Sequence, residues 1–274
     1  MKFDKILCRY GELTLKSDFT RNFFEKKLIA NIKIGLRQEG VKFKIEKEPG
    51  RLFINTKQIE KSCEVLKRVF GLTSISPVKM TIIGADIKKL VNSALRFAKT
   101  FIKKEDTFAV RAKRTGNDAF TSQMIERRVG AEVVKNIGAK VNLTEPDKTL
   151  FIEVRQNKAY FFGEKIKCPG GLPLGTQGKV ISFFSGDMNS VVSTWLIMKR
   201  GCKVIPVYFN ISGGSNENVK LILEKLNEWS VGHRMRLIEI KNYRNIVDTV
   251  VKNCKSNSTY LICRRIMYRI GERI

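Results

Sequence analysis

One short segment has the residue types of a phosphate-binding turn: Ser185-Gly186-Asp187-Met188-Asn189-Ser190. It follows an apolar run at 179–184 and precedes Val192, Trp195, Leu196 and Met198, which recur at helical spacing. Backbone N–H groups at such a strand-to-helix junction have no intrahelical acceptor, and the helix dipole favours an anion beside them. Ser185 and Ser190 add hydroxyl groups, and Gly186 lets a ligand approach the main chain. The same letters also read as an ordinary helix start, with Ser190 or Asn189 as the N-cap. The six cysteines (Cys8, Cys63, Cys168, Cys202, Cys254 and Cys263) include no Cys-x-x-Cys pair. Without a secretory signal they read as free thiols, and Cys254 as a small buried apolar residue. His233 is the only histidine, and its Val-Gly-His-Arg setting lacks ligand spacing, so no metal site and no Ser-His-Asp triad is expected.

Charge points to a polyanionic partner. The 274 residues carry 52 Lys and Arg against 26 Asp and Glu, a net charge of +26. Divided near Ser76 and Gly178, the three parts hold +8, +9 and +9, so the excess is spread over folded surface rather than held in a tail. An extended nucleic acid crossing several domains relieves such self-repulsion; an acidic membrane surface is the other class of partner. No run of 18 apolar residues occurs, and the start MKFDKILCRYGE places charges where a signal peptide is apolar. The expected location is the cytosol, with no membrane insertion.

Three segments must position these groups. Residues 1–76 alternate strand, helix, strand, strand, helix and strand. Strands are expected at 3–10, 41–47, 51–55 and 72–78. A helix capped by Ser17 or Asp18 carries Phe23, Phe24, Leu28, Ile32 and Leu36, and a second spans 58–69. That order is the ferredoxin-like unit, a fold that implies no function by itself. Residues 77–167 form a second α+β unit. It has a helix behind Asp86 with Ile87, Val91, Leu95 and Ala98, a strand at 108–114, a helix from Thr121 or Ser122 to Asn136, and strands at 149–155 and 159–166. In the first of these strands Phe108, Val110 and Ala112 take one face, Arg111 and Lys113 the other. Arg111, Lys113, Arg114, Arg127 and Arg128 are the candidate phosphate-contacting residues, against the alternative of a solvated face. Residues 168–178, rich in Gly and Pro, form a linker or ordered crossing loop. From 179 to 274 strand, loop, helix and strand (203–209) imply a parallel crossover, continued by a helix at 217–229, a strand at 235–240 and helices beyond Tyr243.

The loop at 185–190 resembles the PP-loop, Ser-Gly-Gly-x-Asp-Ser, of ATP pyrophosphatases. GGLPLGTQGKV at 170–180, WLIMKRGCKVIPVYF at 195–209 and CRRIMYR at 263–269 extend the likeness, as do RYGELTLK at 9–16, SISPV at 74–78 and VRAKRTGNDAFTS at 110–122. In this order they are similar to the tRNA 4-thiouridine synthase family along nearly the whole chain. The resemblance implies an α/β protein: a ferredoxin-like domain (1–76), a THUMP domain gripping tRNA (77–167), a linker (168–178) and a partial Rossmann-like PP-loop domain (179–274). It implies ATP with Mg2+ at Ser185, Gly186, Asp187, Asn189 and Ser190. The uridine at tRNA position eight would be adenylated, and its oxygen replaced by persulfide sulfur from a cysteine desulfurase, with a link to thiamine synthesis in bacteria. Cys263 and Arg264 are the catalytic residues it suggests.

The chain departs from the pattern at four places. Asp187 replaces the second loop glycine and Asn189 the loop aspartate. Tyr260 stands where the first cysteine of a Cys-x-x-Cys is found, and Arg264 where lysine is usual. The sequence also stops at Ile274, inside what the resemblance makes a helix of the catalytic domain, so a partner chain or a homodimer is expected to complete the pocket. Two functions follow: an active tRNA sulfurtransferase, alone or as half of a split enzyme, and a tRNA-binding module with a silent PP-loop.

Overall fold

The computed structural model describes residues 3–15, 17–84, 86–115, 120–211 and 215–274. Lys16 of RYGELTLK and residues 116–119 of VRAKRTGNDAFTS lie outside the described residues. The elements in chain order are β1 (Lys5–Arg9), α1 (Asp18–Gln38), β2 (Lys44–Glu48), β3 (Arg51–Asn55), α2 (Ile59–Leu66), β4 (Ser74–Ile82) and α3 (Ile87–Ala98). They continue with β5 (Thr107–Thr115), α4 (Ser122–Ile137), β6 (Lys140–Val141), β7 (Lys148–Arg155), β8 (Lys158–Phe162) and β9 (Ile166–Lys167). The last are β10 (Lys179–Phe183), α5 (Met188–Lys199), β11 (Lys203–Phe209), α6 (Glu217–Asn227), β12 (Ile238–Ile240), α7 (Tyr243–Asn253) and α8 (Ser256–Gly271). They divide into two compact units: Met1–Arg9, Gly40–Lys67 and Ser74–Lys167 in one, Tyr10–Glu39, Arg68–Thr73 and Cys168–Ile274 in the other.

The first unit is built on one sheet in the order β2-β3-β1-β4-β8-β7-β5-β6, with β9 also on β4. Its first four strands keep the ferredoxin-like order. The boundary expected between residues 76 and 77 falls inside β4, which pairs with β1 over Ser74–Val78 and with β8 over Lys79–Ile82. One strand therefore belongs to both halves. The strand expected at 159–166 is interrupted. Phe161 pairs with Lys79 and Ile166 with Ile75, so five steps on one strand oppose four on the other. That is a one-residue bulge at 163–165.

Apolar side chains leave the sheet on both faces. On one, α3 and α4 cover Phe108, Val110, Leu150, Ile152, Val154 and Phe161. Asp86 caps α3 by accepting from the N–H groups of Lys88 and Lys89, and Thr121 caps α4 through Met124 N–H. The other face holds Leu7, Phe53, Val78, Tyr160 and Phe162, and Phe53 and Tyr160 stack with centroids 4.6 Å apart. This face is curled. Arg51 Nε on β3 lies 2.9 Å from Glu153 Oε1 on β7, although β1, β4 and β8 stand between. Four flat strand spacings would separate them by roughly 19 Å, beyond the roughly 13 Å that the two extended side chains and their bond can span.

Glu153 is the centre of that curl. Its side chain, 4% exposed, also meets Arg9 Nε at 3.6 Å and Arg155 Nη1 at 3.2 Å. Arg155 donates in turn to Glu48 Oε2 at 3.2 Å and to the Pro49 carbonyl, and Tyr160 Oη donates to Glu48 Oε1 at 3.1 Å. Burial, then the Glu48 carboxylate, pushes the Tyr160 phenol upward, which keeps it a neutral donor.

The second unit holds a parallel sheet, β10-β11-β12. Val219, Leu223, Met198 and Phe184 cluster on one side, and Tyr243, Val207, Phe209, Ile266 and Met267 on the other. The crossing loop at 168–178 is ordered here. Leu172 N–H donates to Lys199 O at 3.0 Å and Gly175 N–H to Gly201 O at 2.7 Å. A Cβ at Gly171, φ +72°, would lie 2.2 Å from Lys199 O, so no other residue fits.

Several expectations are corrected. Phe23 is 48% exposed, and the α1 stripe is Phe24, Leu28, Ile32 and Leu36. Ser17 precedes α1 but makes no side-chain cap; its hydroxyl turns to Thr20. On α5, Val192 and Leu196 are exposed, because Ser190, Thr194 and Met198 take the inner face. The strand expected at 235–240 pairs only over Ile238–Ile240, since Met235 N–H is bonded to the Asn227 side chain instead.

Replacing Glu153 by Ala leaves Arg9, Arg51 and Arg155 around an empty centre. Urea unfolding should show a loss of about 3–5 kcal/mol, the cost of stripping one partner from a buried ionic cluster. A loss under about 1 kcal/mol would mean that the cluster does not hold the curl.

Candidate functional site

The phosphate-type loop lies between the end of β10 at Phe183 and the start of α5 at Met188. Gly186 adopts φ +82°, where glycine is favoured, and a Cβ there would meet Val219 Cγ2 of α6 at 3.3 Å. Asp187 is the N-cap: its Oδ1 accepts the Ser190 N–H at 2.7 Å. The cap is therefore Asp187 rather than Ser190 or Asn189, because Ser190 stands three residues on, where the free N–H needs an acceptor. Ser190 is buried; its Oγ accepts the Gly186 N–H at 3.1 Å and donates to Asp187 O at 3.0 Å. Ser185, Asp187 and Asn189 are exposed.

The five loop residues named from the sequence thus form one turn, and the turn already holds an anion. The Ser190 backbone N–H first, then its hydroxyl and that of Ser185, keep the Asp187 carboxyl below the usual carboxylate range. The N–H groups of Gly186 and Ser190 are both spent inside the loop. A phosphate group fits this cradle only with the Asp187 carboxylate turned away. No cluster of metal-ligating side chains occurs among the described residues.

Cys263 and Arg264 lie on α8. Cys263 is half-buried, and its carbonyl accepts the Tyr243 hydroxyl at 2.7 Å. Arg264 is exposed, with its guanidinium over the rings of Tyr260 and Tyr268, 5.8 and 6.0 Å from the centroids. Tyr268 in turn meets Phe183, the last residue of β10, at 5.5 Å between centroids. Cys263 stands five residues earlier, about 7.5 Å along the helix. Cys254 closes α7 half-exposed rather than buried.

The five cationic residues named from the sequence separate into two sets. Arg111 and Lys113 are exposed on the curled face, beside Phe151 and Glu153 of β7. Arg111 also donates to the Leu143 carbonyl. Arg114 follows the alternation onto the face covered by α4, the helix that carries the exposed Arg127 and Arg128. They do not make one patch. Instead Arg111 and Lys113 line a cavity of about 260 Å³ with Arg9, Arg51, Lys165 and Glu153, walled by the stacked rings of Phe151 and Phe162. Arg9 lies over Phe162 at 4.7 Å and Lys165 over Phe151 at 4.0 Å.

Comparison with known proteins agrees with this organisation. Family models match in order: ThiI ferredoxin-like domain at 5–76, THUMP domain at 84–163, and Thiamine biosynthesis protein (ThiI) at 175–274. A probable tRNA sulfurtransferase of Methanosarcina acetivorans is 36% identical over 96% of this chain and 66% of its own length. One from Thermococcus kodakarensis is 36% identical over 99% and 73%. A solved 4-thiouridine synthetase–RNA complex with bound ATP aligns with TM-score 0.82 and 29% identity, covering 99% of this chain and 70% of that one. The chain spans about two thirds to three quarters of these relatives.

Ferredoxin-like strands fused to a THUMP domain, followed by a parallel α/β unit, define a THUMP-bearing α/β protein. The chain belongs to the tRNA sulfurtransferase family. Among the described residues no helix is long and apolar enough to cross a membrane.

The Asp187 cap has a measurable signature. A carboxyl depressed in the folded state supports the helix start above the ordinary aspartate value, ~3.9, and the support is lost as pH falls through the depressed value. Asp187→Ala should speed hydrogen exchange at the Ser190 amide at neutral pH, whereas Asp187→Asn should largely preserve protection. Equal exchange in Asp187→Ala and the parent would show that the cap does not form in solution.

Proposed function

We propose that this chain recognises tRNA through its sheet and THUMP surfaces, as the binding part of a tRNA uridine 4-sulfurtransferase activity. The observation that carries the reading is the convergence of Arg9, Arg51, Arg111, Lys113 and Lys165 on one face of the sheet that joins the ferredoxin-like strands to the THUMP domain. Arg114, Arg127 and Arg128 offer further phosphate contacts on the α4 side. The RNA in the related 4-thiouridine synthetase complex supports the same partner class, and tRNA as partner goes with a cytosolic setting.

For the chemistry, the ATP in that relative supports ATP use at Ser185, Gly186, Asp187, Asn189 and Ser190. In such a reaction ATP supplies the adenylyl group that makes the oxygen of the uridine at position eight a leaving group. The chain's own part is to free the Ser190 N–H by moving Asp187 aside, and the Gly186 N–H by turning the Ser190 hydroxyl. Mg2+ would arrive on the phosphates, because position 189 is Asn and the loop has no second carboxylate. Cys263 would be the thiol that takes sulfur from a cysteine desulfurase, and Arg264 beside it lies over two tyrosine rings. A second reading, a tRNA-binding module with a silent loop, is favoured by one observation: the loop's anion position is filled by its own side chain.

Two measurements test these readings. Affinity for tRNA should fall ~100-fold between 50 and 200 mM salt if about four phosphates are contacted; salt-insensitive binding, or equal affinity for duplex DNA, overturns the tRNA reading. For the loop, Asp187→Gly should tighten ATP binding about tenfold and raise tRNA-dependent ATP–pyrophosphate exchange. No exchange in either protein favours the silent module.

A further inference from the structure

The cavity on the curled face has more positive charge than its own fold uses. Five cations line it, Arg9, Arg51, Arg111, Lys113 and Lys165, against the single carboxylate of Glu153, an excess of four. Glu153 is already shared with Arg9, Arg51 and Arg155. The arginines at its back are largely buried, with side chains 12% and 15% exposed, while Arg111, Lys113 and Lys165 stand exposed at its mouth. Cations held together out of water require an anion in compensation. Burial first, and then the neighbouring Arg9, lower the Lys165 ammonium, while Glu153 opposes them.

Shape narrows the ligand. The five groups come from β1, β3, β5 and the 163–165 bulge and converge on one point. A row of cations tracks a run of singly charged phosphodiesters; a convergent cluster suits one multiply charged group. The volume, about 260 Å³, lies below the ~300–1,000 Å³ of whole small-molecule sites, so it fits a group rather than a complete nucleotide. We propose that this cavity is a binding site for a phosphate monoester dianion, separate from the loop at 185–190. The dianion is either a free phosphate monoester or the 5′-terminal phosphate of an RNA. Arg9 and Arg51 form the floor, and Arg111, Lys113 and Lys165 close on the oxygens. Only the RNA source rests on the tRNA reading.

The test uses the full chain in low-salt chloride buffer with inorganic phosphate as probe, read by titration calorimetry. One saturable site is expected, weakened at least tenfold in the Lys113→Ala/Lys165→Ala double variant, whose changes are at exposed positions. Lys165→Glu alone should weaken it comparably, which keeps the test valid if the double variant folds poorly. No binding at millimolar phosphate, or binding unchanged in both variants, overturns the site. An acceptor-stem RNA duplex with a 5′-phosphate or a 5′-hydroxyl then identifies the source. Tighter binding of the phosphorylated form, about fivefold and lost in Lys165→Glu, assigns the site to an RNA end. Equal binding of both, with inorganic phosphate still bound, assigns it to a free monoester. If phosphate binds and neither RNA does, the tRNA reading falls while the site stands.

Discussion

A single carboxylate, Glu153, organises the larger sheet. It sits on β7, yet its partners are Arg155 on the same strand, Arg9 on β1 and Arg51 on β3. Ion pairs across two and three intervening strands exist only if the sheet rolls toward them, and the roll creates the concavity where Phe53 stacks on Tyr160. Buried ion pairs add little net stability over apolar packing, but losing one partner is costly. The cluster therefore acts as a geometric constraint more than as a source of stability. β4 supplies the covalent counterpart: ferredoxin-like and THUMP strands are one hydrogen-bonded surface because a single strand serves both.

The smaller sheet obeys a different logic. Its parallel strands are covered on both sides, and a polar turn joins β10 to α5. There the helix dipole and unpaired N–H groups attract negative charge, as at any helix start. In this chain the Asp187 side chain meets that demand, and the serine hydroxyls reinforce it. The turn sets a left-handed glycine before a helix start and closes its Ser190 N–H on the chain's own carboxylate.

Much of this was legible in the letters. Strand alternation in β5 placed Phe108 and Val110 inward and Arg111 and Lys113 outward, and Asp86 and Thr121 are caps where their types and positions suggested. The loop at 185–190 was legible as a turn, but its cap was not, since Asp, Asn and Ser all cap well and only φ and ψ decide among them. The roles of Arg9, Arg51 and Lys165 were hidden. Arg9 is 42 residues from Arg51, and no local pattern shows that a sheet will roll far enough to bring them to one acid. Splitting the candidate cations between two faces follows from strand parity and was available in principle: Arg114 differs from Lys113 by one residue.

The bulge at 163–165 has a consequence for charge. Along β8 Tyr160 and Phe162 take the curled face, Phe162 lining the cavity, so an unbroken strand would continue that alternation to Glu164. The extra residue slips the register by one and brings Lys165 over Phe151 instead. Deleting Gly163 would restore the pleat with the lysine still inward, whereas deleting Lys165 would restore it with Glu164 in the inward slot. In the latter case five cations and one acid would become four and two, halving the excess without touching a strand of the core. The electrostatic sign at that point of the wall is thus set by which residue of the bulge is present.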